Sequence, residues 1–178
     1  PVCRVSAGDI RSDRGAAQMP VHAKTDKGVG GTFRNCTRDY KVAPIAREIR
    51  RLIGYGPRQR IPTDVRVEQW IGISWDEIHR MKDTGKPWLV NRWPLVEREL
   101  TRDDCIDYFT GRPLARSACV GCPYHSNPEW ARIKYQDPES WNDAVDYDRA
   151  LRDGRLKVNY KNPVYLHWSA RPLEEIDL

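Results

Sequence analysis

No apolar run approaching the roughly 18 residues that a membrane-crossing helix needs occurs in this chain, so no membrane association is expected. Hydrophobic residues are sparse, at 39%, and charged residues reach 31%. At 178 residues that balance fits a well-solvated single domain, or one domain with an appendage. Phenylalanine is almost missing, with two, against seven tryptophans and eight tyrosines. The aromatics therefore mostly carry a polar tip, which suits half-buried sites and interfaces. No secretory leader is readable, and five cysteines, an odd number, do not make a disulfide framework. A reducing, cytoplasmic setting with cysteines given to metal or redox work fits better. Internal repeats and low-complexity tracts are absent. The chain opens at Pro1 on what reads as a strand in progress, Val2 to Val5, so a fragment or processed chain whose first part lies elsewhere is expected.

What is present centres on residues 117–125, Ser-Ala-Cys-Val-Gly-Cys-Pro-Tyr-His. A Cys-x-x-Cys turn brings Cys119 and Cys122 close enough to share one metal, one cluster or one disulfide. Gly121 lets the backbone turn tightly, Pro123 fixes the exit, and His125 follows three residues after the second thiol. Upstream, Cys36 stands just ahead of a helix expected over residues 39–53, with Ile45, Ile49, Leu52 and Ile53 on one apolar face. The helix dipole favours a thiolate there, as a metal ligand needs; a buried core cysteine is the other reading. The net charge of +5 favours phosphate-bearing partners, and Arg34, Arg38 and Lys41 cluster beside Cys36. Those cations serve equally well as a solvated helix face.

Around these residues the pattern alternates short strands and helices. A polar loop at residues 12–15 and a second short strand at residues 19–23 lead to a glycine-rich segment, residues 27–31. That segment lacks the Gly-Lys-Ser/Thr ending of a phosphate-binding loop and is expected to be a loop. Residues 65–73 read as a strand, and Ser74 with Glu77 as a capping box opening a helix to Lys82. Residues 88–95 read as extended and broken by Pro94, and Thr101 with Asp104 as a second capping box on a helix through Phe109. Gly111 and Pro113 end that helix. Asn127 and Asp137, each followed by proline, are expected to cap helices over residues 128–135 and 138–152, and residues 157–167 to be extended.

Four blocks taken in order resemble the phosphoadenosine/adenosine phosphosulfate reductase superfamily, within the adenine-nucleotide α-hydrolase-like group. They are Cys36-Thr-Arg-Asp-Tyr-Lys-Val-Ala-Pro-Ile45, Gln69-Trp-Ile-Gly-Ile-Ser-Trp-Asp-Glu77, the pair Trp93-Pro-Leu95 and Leu100-Thr-Arg-Asp-Asp-Cys-Ile-Asp-Tyr108, and Cys119-Val-Gly-Cys122. Ser74 stands where the family usually has arginine. The blocks span residues 36–125, about half the chain. The resemblance implies an α/β fold: residues 1–100 as the later part of a doubly wound adenine-nucleotide α-hydrolase-like domain, and residues 101–178 as a helical, cysteine-rich C-terminal region.

The iron–sulfur branch of that family holds a 4Fe–4S cluster with a tandem cysteine pair and the late Cys-x-x-Cys. By position the resemblance makes Cys36, Cys119 and Cys122 ligands. Asn35 occupies the place of the other tandem cysteine, so the fourth position falls to Cys105, to His125, or stays open. Cys105 reads equally as a core residue of its own helix, and a Cys₃His zinc site is the alternative to the cluster. The family's Ser-Gly-Gly-x-Asp-Ser loop is absent and is expected upstream of Pro1, with ATP or a sulfonucleotide if that part is present. No cysteine follows Cys122, whereas the reductases attack with a C-terminal one. The resemblance therefore implies sulfur transfer, on a nucleotide or nucleic acid, with a sulfur donor protein as partner and Arg34, Arg38 and Lys41 as phosphate clamps. A zinc-stabilised module binding nucleic acid or a partner, and a reductase whose nucleophile comes from another chain, are the alternatives. A homo-oligomer is compatible with all three.

Overall fold

Backbone pairing divides the strands into two small sheets. The computed structural model describes residues 2–11, 19–32, 34–112, 119–156 and 160–178. The loop expected at residues 12–15, Pro113, Ser117, Ala118 and residues 157–159 lie outside them. The architecture is mixed α/β, with small sheets and several helices. The chain splits into two units, one of residues 1–52 with 117–178 and one of residues 53–116. No helix among the described residues is long and apolar enough to cross a membrane.

In the first unit, β1 (His22–Thr25) pairs antiparallel with β2 (Gly28–Gly31) on one side and β5 (Val164–Tyr165) on the other. The glycine-rich segment expected to be a loop is thus a strand. Ladder bonds need only backbone, and Gly28 at φ +109° makes the tight return after Asp26 and Lys27. The strand expected at residues 19–23 is shifted to His22, because Pro20 has no N–H to give a ladder while Met19 and Val21 turn into the core. The strand expected at Val2 to Val5 does not form; this stretch pairs with no strand among the described residues.

The helix after Cys36 begins as a π-helix, Arg38–Val42, and continues as α1 (Ala43–Leu52). The wider register precedes Pro44, whose ring would otherwise press on the carbonyl four residues back and which cannot supply that carbonyl's hydrogen. Ala43 N–H instead bonds Arg38 O, five residues back. The face expected to be buried is not: Ile45 and Leu52 are exposed, and the small residues Pro44 and Ala46 pack inward.

Helices α4 (Asn127–Gln136) and α5 (Pro138–Ala150) follow one another closely. Asp137 caps α5 as expected, accepting from Ser140 N at 3.1 Å. For α4 the cap is Ser126, not Asn127, because the Asn127 oxygen is committed elsewhere: it accepts from His167 Nε2 at 3.1 Å and Trp168 Nε1 at 2.9 Å. Residues 144, 147, 148 and 151 share the inward face of α5 at helical spacing. Ala144, Tyr147 and Leu151 join Met19, Trp130 and Leu166 in the core. Fully buried Asp148 accepts from Leu166 N at 2.7 Å and Leu173 N at 3.0 Å and pairs with Arg152, so it clamps the C-terminal segment onto the helix.

In the second unit, β3 (Val67–Trp70) runs parallel to β4 (Leu89–Arg92), with Val67 N bonded to Trp88 O at 2.8 Å. The helix expected from the Ser74 box is a 3₁₀ segment, Trp75–Arg80, and Ser74 makes no cap bond. Asp76 takes over the junction by accepting from Arg102 N at 2.8 Å, while Ser74 is buried. Pro94 opens a short helix, α2 (Pro94–Glu97), instead of only breaking the strand. The Thr101–Asp104 capping box forms on α3 (Arg102–Tyr108) as expected, with Thr101 N to Asp104 Oδ2 at 2.8 Å and Asp104 N to Thr101 Oγ1 at 3.2 Å.

Removing one partner of a buried ion pair that also holds two backbone N–H groups is costly. Asp148→Ala is expected to lower the unfolding free energy by about 3–5 kcal/mol in denaturant titration; a loss under about 1 kcal/mol, the scale of a surface pair, would contradict the clamp. His167 gives a pH signature. It is buried, with Nδ1 against Ser169 Oγ at 2.8 Å and Nε2 donating to Asn127, so a second proton would place a charge away from water. Burial first, then His22, lowers its pKa, with Asp148 opposing. The unfolded imidazole takes a proton near pH 6.5 that the folded one refuses until lower pH. Stability is therefore full above about pH 6.5 and falls as the pH drops toward the folded value. Urea midpoints measured across that range should decline on acidification, and less so in His167→Gln; an equal decline in both would contradict it.

Candidate functional site

Two chain segments far apart in sequence supply the thiols. Cys36 sits at the start of the helix that becomes π at Arg38, and Asn35 O accepts from Asp39 N at 3.0 Å to fix that first turn. Cys119 and Cys122 sit on a turn closed by Cys122 N to Cys119 O at 3.0 Å. All three cysteines line one cavity of about 330 Å³ in the first unit, together with Arg34, Tyr40 and Lys41. Residues 5–10 form part of its wall.

The turn is held from several sides. His125 donates from Nε2 to Cys119 O at 2.9 Å, and its ring meets Trp130 edge-on with centroids 4.8 Å apart. His22 donates from Nε2 to Pro123 O at 3.2 Å. Gly121 is required by a close approach: a Cβ there would stand 3.2 Å from Tyr147 Cδ1 and 3.5 Å from Cε1. Its φ is not in the left-handed region, so packing, not backbone freedom, selects the glycine.

Electrostatics link these groups. Cys119 as a residue is exposed, yet its thiol faces the cavity and its pKa is raised. Desolvation is the chief cause, with Cys122 and Cys36 adding; a hydrogen bond from Gly121 N–H and the Lys41 ammonium act the other way. The Tyr147 phenol is also held above its ordinary value, first by burial and then by Tyr160, Cys119 and Cys36. Its hydroxyl is buried and has no hydrogen-bond partner among the described residues. A second cavity, of about 240 Å³, is lined by Cys119, Val120, Gly121 and Tyr147 among others.

The other expected site residues lie as follows. The Arg34 guanidinium stacks over the Tyr124 ring, 5.1 Å from its centroid. Arg38 is engaged by Asp39, Nε to Oδ1 at 2.7 Å and Nη2 to Oδ2 at 3.1 Å. Cys105 is in α3, in the second unit, with its N–H bonded to Thr101 O. Exposed Cys3 donates to Glu48 Oε1 at 3.3 Å. Arg51 chiefly, with that thiol second, holds the Glu48 carboxylate at a pKa of about 2. Among the described residues no three His, Cys, Asp or Glu side chains are gathered as around a single metal ion.

The chain matches no family model, no curated protein and no solved structure. Sequence reading missed Tyr147, Tyr40 and the wall at residues 5–10; only Tyr147 left a signal, its helical spacing from Ala144 and Leu151.

The close approach at the turn generates a paired prediction. Gly121→Ala drives a methyl against the Tyr147 ring and is expected to cost about 1–3 kcal/mol of stability, as overpacking does. Gly30→Ala, where nothing lies within 4 Å of the added Cβ, should not show that loss. Equal effects on the denaturation midpoint would refute the packing argument.

Proposed function

We propose that this chain is a phosphosulfate-reductase-like protein that holds an iron–sulfur cluster at Cys36, Cys119 and Cys122. It would act in nucleotide-dependent sulfur transfer to a nucleotide or nucleic acid. One observation carries the reading: thiols from two distant segments share one cavity wall with two cations, Arg34 and Lys41.

Three features support a cluster at this place. Cys36, Cys119 and Cys122 line one cavity, as cysteine ligands of one cluster would. The Gly121 N–H already donates to the Cys119 sulfur, as hydrogen bonds to cluster ligands do. A buried hydroxyl beside the turn lacks an acceptor. When bound, such a cluster would supply electron transfer or a place for inorganic sulfide. The chain's own part is to hold the thiolates, and to offset negative charge through Lys41 and Arg34, whether that charge comes from the thiolates or from a substrate phosphate. His125 donates from Nε2 to the Cys119 carbonyl, which leaves Nδ1 as the ring's metal-binding atom, so a Cys₃His zinc site stands as the alternative. The adenine-nucleotide α-hydrolase-like assignment belongs to the same proposal; the parallel pairing of β3 and β4 is consistent with it. His125, or a sulfur from outside the chain, would take the fourth position.

Anaerobic reconstitution with iron and sulfide tests the reading. A brown protein with stoichiometric iron and sulfide is expected, with the colour lost in Cys36→Ser, Cys119→Ser and Cys122→Ser. A colourless parent that takes up one equivalent of zinc would overturn the proposal.

A further inference from the structure

The Tyr147 hydroxyl is a donor without an acceptor. The residue is 4% exposed, and its oxygen has no hydrogen-bond partner among the described residues. Buried hydroxyls nearly always have one. Tyr160, the other phenol bearing on it, is engaged with Thr32. The ring is fixed against Gly121, between the two cysteines of the turn, with Met19 alongside. Cys119 and Tyr147 line the same smaller cavity, and Cys119 also faces the larger one. A residue of the candidate cluster site and Tyr147 therefore line one cavity.

A protonated thiol is a weak acceptor and a thiolate a strong one. Metal ligation converts the first into the second. On this basis we infer that Tyr147 is a positioning residue whose O–H donates to the Cys119 thiolate, or to a sulfide beside it, once the centre is in place. The inference rests on the iron–sulfur reading and adds a residue that reading did not contain. Such a bond stabilises the more negative, reduced state, so it raises the reduction potential. It leaves the metal-free protein indifferent to the hydroxyl, because there it bonds nothing.

Tyr147→Phe keeps the ring against Gly121 and removes only the oxygen. Two measurements on full-length parent and variant are needed: the thermal midpoint of the metal-free proteins, and the reduction potential of the reconstituted ones by spectroelectrochemical titration. The metal-free variant should melt at or above the parent's midpoint, since a buried unpaired hydroxyl has been removed. The reconstituted variant should titrate at a more negative potential and lose iron faster to a chelator. An unchanged potential overturns the inference while leaving the cluster reading intact. A metal-free variant that melts clearly below the parent also overturns it, because the hydroxyl would then have a partner within the chain. A parent that forms no cluster overturns the reading first and the inference with it.

Discussion

The contact between the Tyr147 ring and the backbone at Gly121 is the constraint on which the site depends. It joins the cysteine turn directly to the hydrophobic core, because Tyr147 belongs to the same buried cluster as Met19, Trp130 and Leu166. A turn of this kind on a solvated surface would be free to move its thiols. Here the two backbone carbonyls held by His125 and His22, and the ring pressed on Gly121, fix where Cys119 and Cys122 can be. The clamp by Asp148 acts one residue further along α5 and holds the C-terminal segment to the same face. Fold stability and site geometry thus meet on one helix.

The cavity joins two different local devices. On one side a tight turn presents two thiols; on the other a helix start presents a third, followed at once by a π-helix that carries Tyr40 and Lys41 toward the same space. The π register answers the problem that Pro44 poses, and it also sets the direction of the side chains just before it. A single proline therefore bears on which residues line the cavity.

Much of this was legible in the residues where local chemistry decides. The caps at Thr101 and Asp137 and the two consecutive proline-opened helices follow from short-range rules, and they form. Readings failed where a distant partner decided. Asn127 looks like a cap, but His167 and Trp168 claim its oxygen and Ser126 caps in its place. The glycines at 28–31 carry no strand signal, because their strand exists through backbone pairing with β1. Ile45 and Leu52 repeat at helical spacing, yet the helix turns smaller residues inward. For the site, each cysteine was visible, but spacing alone joined only Cys119 to Cys122. Cys36 came to them through resemblance, and the cavity now gives that grouping a geometric basis. Tyr147 was invisible as a site residue, because its part depends on a close approach that no motif encodes.

The central claim is that the thiol at position 36 shares a cavity with the pair at 119 and 122. Treating the metal-free protein with a short thiol-to-thiol cross-linker and mapping the joined peptides by mass spectrometry tests it without assuming any cofactor. Bridges from Cys36 to Cys119 or Cys122 are predicted. Finding Cys119 and Cys122 bridged only to each other, with Cys36 modified singly, would contradict the account.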